Sequence, residues 1–146
     1  MKLLTQNIQQ KLLKNWPDDT GLCIPPLKLF NPCGPATWLI TAMDPDCHDY
    51  LFGLADLGMG YPELGSVSLS ELQAIRLPFG LTIERDRSFK AEYPIRVYAA
   101  AARTHSRIVF DGEKLQAATR ALALKDSEPI ARDRGLGCNS PDGEDW

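Results

Sequence analysis

The chain has 146 residues, 44% hydrophobic and 24% charged, a size that fits one domain with a single core and no need of disulfide staples. No apolar run is long enough to span a bilayer, and the first 14 residues (MKLLTQNIQQKLLK) are too often interrupted by polar ones for a secretory signal, so a cytoplasmic protein with no membrane partner is expected. The net charge of −3 divides unevenly: from Asp126 onward six acids face two arginines, a net of −4, which leaves +1 for the rest. That balance excludes a strongly basic nucleic-acid binder and a wholly acidic mimic of DNA.

In chain order, Thr5 is placed to cap a first helix whose apolar residues Ile8, Leu12, Leu13 and Trp16 fall at helical spacing, with Pro17 as its stop. Leu27 and Leu29 alternate like a half-buried strand, and Pro25-Pro26 predict that it begins at a sheet edge. Asn31-Pro32-Cys33-Gly34-Pro35 is turn chemistry, and residues 36–43 (ATWLITAM) read as the hairpin partner. Residues 44–49 (DPDCHD) read as a polar loop. A third strand over residues 50–55 carries Gly53, which marks a bulge or a close backbone approach. After the glycine-rich link Leu57-Gly58-Met59-Gly60-Tyr61-Pro62, residues 63–67 form a fourth strand.

Ser68-Leu69-Ser70-Glu71 is a capping box, in which the Ser68 hydroxyl accepts from the Glu71 amide and the Glu71 carboxylate returns to the Ser68 amide. The helix it opens carries Leu69, Leu72, Ile75 and Arg76 before Pro78. Residues 81–85 read as a short strand with Leu81 and Ile83 on one face. Pro94 suits a first helical turn, and the helix it opens runs to about Thr104. Ile108-Val109-Phe110 reads as a strand fragment, and Asp111 caps a last helix bearing Leu115, Ala118, Leu122 and Leu124. The expected fold is therefore α+β: a small, mostly antiparallel sheet of about four or five strands with helices packed on it. One domain over residues 1–125 is expected, with residues 126–146 as a loosely ordered acidic tail.

The four cysteines (Cys23, Cys33, Cys47, Cys138) form no C-x-x-C pair, and reduced thiols are expected, with no metal or cofactor implied. No nucleophile elbow, phosphate-binding glycine loop or H-E-x-x-H motif is present.

Several motifs occur together in one order: Phe52-Gly53-Leu54, Glu63-Leu64-Gly65, the S-L-S-E-L start from Ser68 to Leu72, the stretch from Gly80 to Asp86 ending in E-R-D, and Phe89. The opening M-K-L-L-T and the F-x-P-x-G-x-x-T-W pattern from Phe30 to Trp38 accompany them. With these, residues 1–90 resemble a domain-of-unknown-function family of small bacterial proteins common on plasmids, conjugative elements and other mobile DNA. The resemblance implies that context and a bacterial cytoplasm. It supplies no catalytic residues, and it makes residues 91–125 a helical addition.

Three functional readings remain open. Glu84 and Asp86 form a carboxylate pair able to hold a divalent ion with Asp44, Asp46 or Asp49, with His48 as acid or base, which would make a metal-assisted hydrolase or nuclease. Alternatively, those acids are pinned by Arg76, Arg85 or Arg87, or Asp86 caps a turn, and they serve as scaffolding. Arg96, Arg103 and Arg107 would share one face of a helix reaching that far, and with Lys90, Lys114 and Arg120 would contact phosphates weakly. Tyr61 and Phe79 lie in turns beside Pro62 and Pro78, where an exposed aromatic is a suitable anchor for a protein partner. The leading expectation is a non-enzymatic accessory protein that binds a host or element-encoded protein, with interference in host defence as a fitting role.

Overall fold

The structure, a computed structural model, describes residues 2–126. In chain order they form α1 (Gln6–Lys14), β1 (Leu27–Phe30), β2 (Thr37–Asp44), β3 (Cys47–Asp56), β4 (Glu63–Ser68), α2 (Leu69–Ala74), β5 (Glu84–Arg85), α3 (Ile95–His105) and α4 (Gly112–Asp126). The strands make one sheet in the order β4-β3-β2-β1-β5, antiparallel throughout. The α+β class read from the sequence holds. The acidic stretch beyond Asp126 lies outside the described residues.

The sheet is covered on both faces because its central strand is apolar on both. Trp38 and Ile40 of β2 join Leu27, Leu29 and Leu51 in one buried cluster, which α1 and α2 close with Leu12 and Leu72. Leu39 faces the other way and joins Leu54 in a second cluster under α3 and α4, built from Ile95, Tyr98, Ala102, Leu115 and Ala118. Six consecutive buried residues in β2 are the sign of a strand packed on two sides rather than one.

Thr41 interrupts this pattern. The register slips between Ile40 and Ala42, leaving Thr41 as the extra residue of a bulge. Its hydroxyl donates to the Phe52 carbonyl at 3.3 Å, and its own carbonyl accepts from the Asn15 side chain at 3.0 Å, so the buried polar groups are satisfied. Gly53 lies opposite Ile40, where a Cβ would overlap the Leu39 carbonyl oxygen and the Ile40 backbone. The close backbone approach predicted for this glycine is present.

Several expectations are corrected. β1 is not an edge strand, because β5 pairs with Leu29 and Phe30 on its outer side; Pro25 and Pro26 simply precede the ladder. The segment read as a polar loop is a tight turn, and Cys47, His48 and Asp49 already belong to β3. The fifth strand shrinks to Glu84–Arg85, since residues 81–83 have no strand beside them to pair with. Ile108 and Val109 are buried without forming a strand.

Replacing Gly53 by alanine is expected to destabilise the protein by about 3 kcal/mol, because the added methyl meets backbone that cannot swing aside. Urea denaturation of Gly53→Ala beside Gly65→Ala, whose Cβ would meet open space, measures the difference.

Candidate functional site

Glu84 and Asp86 follow the bend at Pro78-Phe79-Gly80, the first within β5 and the second just after it. Asp86 has one oxygen 3.3 Å from the Lys28 ammonium, and its other oxygen accepts from the Ser88 amide at 2.9 Å. Its amide donates to the Lys28 carbonyl at 3.0 Å. Lys28 in turn sits 4.3 Å from the centre of the Phe110 ring. Asp86 thus both pairs with a cation and caps a turn, but the cation is a lysine on the neighbouring strand, not Arg76, Arg85 or Arg87. Arg85 instead donates to the Lys2 carbonyl, and Arg76 to the carbonyls of Gln73 and Ile75. Glu84 is half-buried opposite Phe30 and has no ion pair among the described residues.

The other proposed metal ligands stay apart from this pair. Asp44 accepts from the Asp46 amide at 2.8 Å inside the β2–β3 turn. Asp49 accepts from the Ser68 hydroxyl at 2.7 Å and from the Ser70 amide at 2.6 Å. His48 is exposed on β3, with Nδ1 3.4 Å from the Gln9 amide nitrogen. Among the described residues, no three His, Cys, Asp or Glu side chains are grouped to hold a metal ion.

Asp49 has a structural task that sequence reading did not find. Ser68 accepts from the Glu71 amide at 3.3 Å, which is one half of the expected capping box; the return bond from the Glu71 carboxylate to the Ser68 amide is not formed. A second N-terminal amide of α2, that of Ser70, is taken by Asp49, reaching across from β3. Hydrogen bonds from Ser68 and Ser70 favour the ionised carboxyl and lower its pKa below the ordinary aspartate value.

The arginines do not form one helical stripe. α3 ends at His105, and Ser106 turns the chain with φ 59°, so Arg107 lies beyond the helix. Arg96 is held 2.8 Å from Asp126 at the end of α4. Arg103 is exposed and borders an open depression of about 440 Å³ with residues 60–64, whereas Arg107 borders a different one beside Asp56 and Gly58.

The three most exposed large apolar side chains, Phe79, Tyr61 and Met59, fall in two loops, while Leu22, Ile24, Tyr50, Phe110 and, on α4, Leu124 are exposed elsewhere to a lesser degree. Phe79 is 96% exposed and has φ 63°, a conformation that side chains beyond glycine rarely adopt. Its loop is closed at the base, with the Leu77 amide on the Leu81 carbonyl at 2.9 Å and the Leu81 amide on the Pro78 carbonyl at 3.3 Å. The β3–β4 link exposes Leu57, Met59 and Tyr61, the last two at 76% and 81%. Gly58 and Gly60 separate them at φ 83° and 88°, so the backbone doubles back and leaves the three side chains outside the core. Tyr61 and Phe79 were singled out in the sequence; Leu57 and Met59 were not. Their signal was present in the alternation of glycine with large apolar residues, a pattern that suits neither a strand nor a helix.

The Phe79 loop, the β3–β4 link and Asp49 all lie within residues 3–109, and a family model described as a protein of unknown function (DUF2958) matches that span. The chain belongs to this family. The DUF2958 match runs past the boundary expected at residue 90 and takes in all of α3, so α3 is part of the family's fold. Only α4 among the described helices stands outside it. No curated protein and no solved structure matches the chain.

The Asp49 cap makes a prediction about pH. Because the folded carboxyl titrates lower than the unfolded one, its contribution is complete above the unfolded value of about 3.9 and is lost as pH falls through the folded value. Asp49→Asn is therefore expected to lower the urea midpoint at neutral pH. On acidification the two midpoints should converge; a gap of constant size would show that charge plays no part in the cap.

Proposed function

We propose that this chain is a non-enzymatic accessory protein of bacterial mobile DNA that acts by binding another protein. The observation that carries the reading is Phe79. A phenylalanine held at positive φ costs about 1 kcal/mol or more, and its ring gains nothing in return from the protein's own core. Burying such a ring against a partner would release roughly 1.5–3 kcal/mol, more than offsetting that cost. The closed loop fixes the backbone before binding, so little backbone entropy remains to be lost on contact.

The two exposed loops support the same reading, since an aromatic anchor framed by rigid turns is the usual centre of a binding patch. The engagement of Asp86 by Lys28 and of Asp49 by the serines speaks against a metal-assisted hydrolase, which needs those oxygens free. The partner is encoded by the host or by the element; a component of host defence fits the mobile-DNA context that the family resemblance supplies.

Affinity capture from a bacterial host with the wild-type chain, Phe79→Ala and Phe79→Gly tests this. The expected result is a partner held by the wild type and reduced at least about tenfold in both variants. Phe79→Gly should unfold at a temperature no lower than the wild type, because glycine accepts the loop's φ. Equal recovery with all three chains, or no partner from hosts with and without the element, would overturn the proposal. Saturating heat on titration with magnesium, manganese or zinc that disappears in Glu84→Gln would favour the hydrolase instead.

A further inference from the structure

The two edges of the sheet are finished differently. β5 is only two residues long and both are charged, which blunts that edge against further pairing. β4 has six residues, and neither proline, lysine nor a register shift interrupts residues 64–68. Its inner side is fully paired with β3 from Glu63 to Ser68. On its outer side, no backbone group of residues 63–68 has a backbone partner among the described residues. An edge of this kind is a template for one more strand.

The surroundings define what that strand would carry. At the head of β4, Tyr61 and Met59 present apolar surface, and the depression there is bordered by Arg103. Arg103 projects from α3 on the face to which Leu64 points, since Leu64 packs against the α3–α4 cluster. It has no carboxylate partner among the described residues, although Glu63 borders the same depression. Side chains of a strand added beside β4 would alternate between the two faces. One on the α3 face at the head of β4 would meet this arginine, so an acidic residue at that position suits the site.

We propose that the β4 edge is the docking site for an extended acidic segment of the partner protein, which adds to the sheet as a sixth strand with a carboxylate toward Arg103. This rests on the protein-binding reading above and names the chemistry of the partner. Main-chain hydrogen bonds to β4 hold the segment extended along the edge, and the pairing of a carboxylate with Arg103 sets its register.

The probe is a short fluorescein-labelled peptide alternating valine with glutamate, with a valine–lysine peptide as control, titrated into the full chain. The glutamate peptide is expected to bind, to weaken as salt rises, and to slow exchange of the outward-facing β4 amides. Arg103→Glu should weaken it about tenfold, and Tyr61→Ser should weaken it as well. Phe79→Ala should leave it unchanged, which separates failure here from failure of the Phe79 surface. Absence of glutamate-peptide binding, equal binding of the lysine peptide, or binding without slowed exchange in β4 would overturn the proposal. So would self-association in sedimentation that is lost in Tyr61→Ser, since the edge would then belong to a second copy of the chain.

Discussion

Asp56 closes β3 with its side chain 4% exposed, and its two oxygens accept from backbone amides that lie far apart in sequence: Gly58 at 2.8 Å and Ile108 at 2.9 Å. A buried carboxyl left without such partners would cost several kcal/mol, so the pair of bonds is a strong geometric requirement. The bond to Gly58 starts the turn that throws Leu57 and Met59 outward. The bond to Ile108 fastens the α3–α4 link to the end of the sheet and buries Ile108 and Val109. Because α3 is thereby drawn down beside β4, Arg103 comes to border the β3–β4 link. The exposed loop and the basic side chain beside it are consequences of one buried acid.

The two-sided sheet explains why the family match extends past residue 90. A sheet apolar on both faces cannot stop at β5, because Leu39 and Leu54 would then face water. α3 supplies the missing layer with Ile95, Tyr98, Ala101 and Ala102, and the small alanines let the helix approach the strands closely. The sheet has one face closed by α1 and α2 and the other by helices that follow it in the chain. The two helix pairs, α1 with α2 and α3 with α4, share no cluster.

Local chemistry was legible where it acts over a few residues. Thr5 caps α1 by accepting from the Ile8 amide at 3.1 Å, and Ser68 caps α2 as its spacing requires. The β1–β2 hairpin, its Asn31 turn and the freedom of Tyr61 and Phe79 from the core were read correctly for the same reason. What was not legible are bonds between distant residues: Asp56 to Ile108, Asp49 to Ser70, Lys28 to Asp86. No periodicity encodes them. The segment from Cys47 to Asp49 was misread because an antiparallel ladder near a turn is exposed, and its backbone bonds are indifferent to polar side chains. The length of β5 depended on how far β1 reaches, which nothing in residues 81–85 states.

The charged run after the Pro-Phe-Gly bend shows how strand geometry overrides chain adjacency. On an extended chain, neighbouring side chains point to opposite faces, so Arg85 is turned away from both acids that flank it. Arg85 lies opposite Leu29 in the ladder and reaches Lys2, while Asp86 faces the same side as Lys28 of the adjoining strand and takes its ammonium. The result is that β5, with only two residues in the ladder, is fastened to β1 by an ion pair and by the Asp86 amide as well. The chain leading to Phe79 is fastened at its other end by the doubly capped start of α2, where Ser68 and Asp49 hold the first amides. A segment anchored at both ends can hold a residue in a conformation it would not choose alone. Phe79 is held outward by the Leu77–Leu81 bonds at the base of its loop, and Asp49 and Asp86 fasten the two ends of the longer segment that carries it.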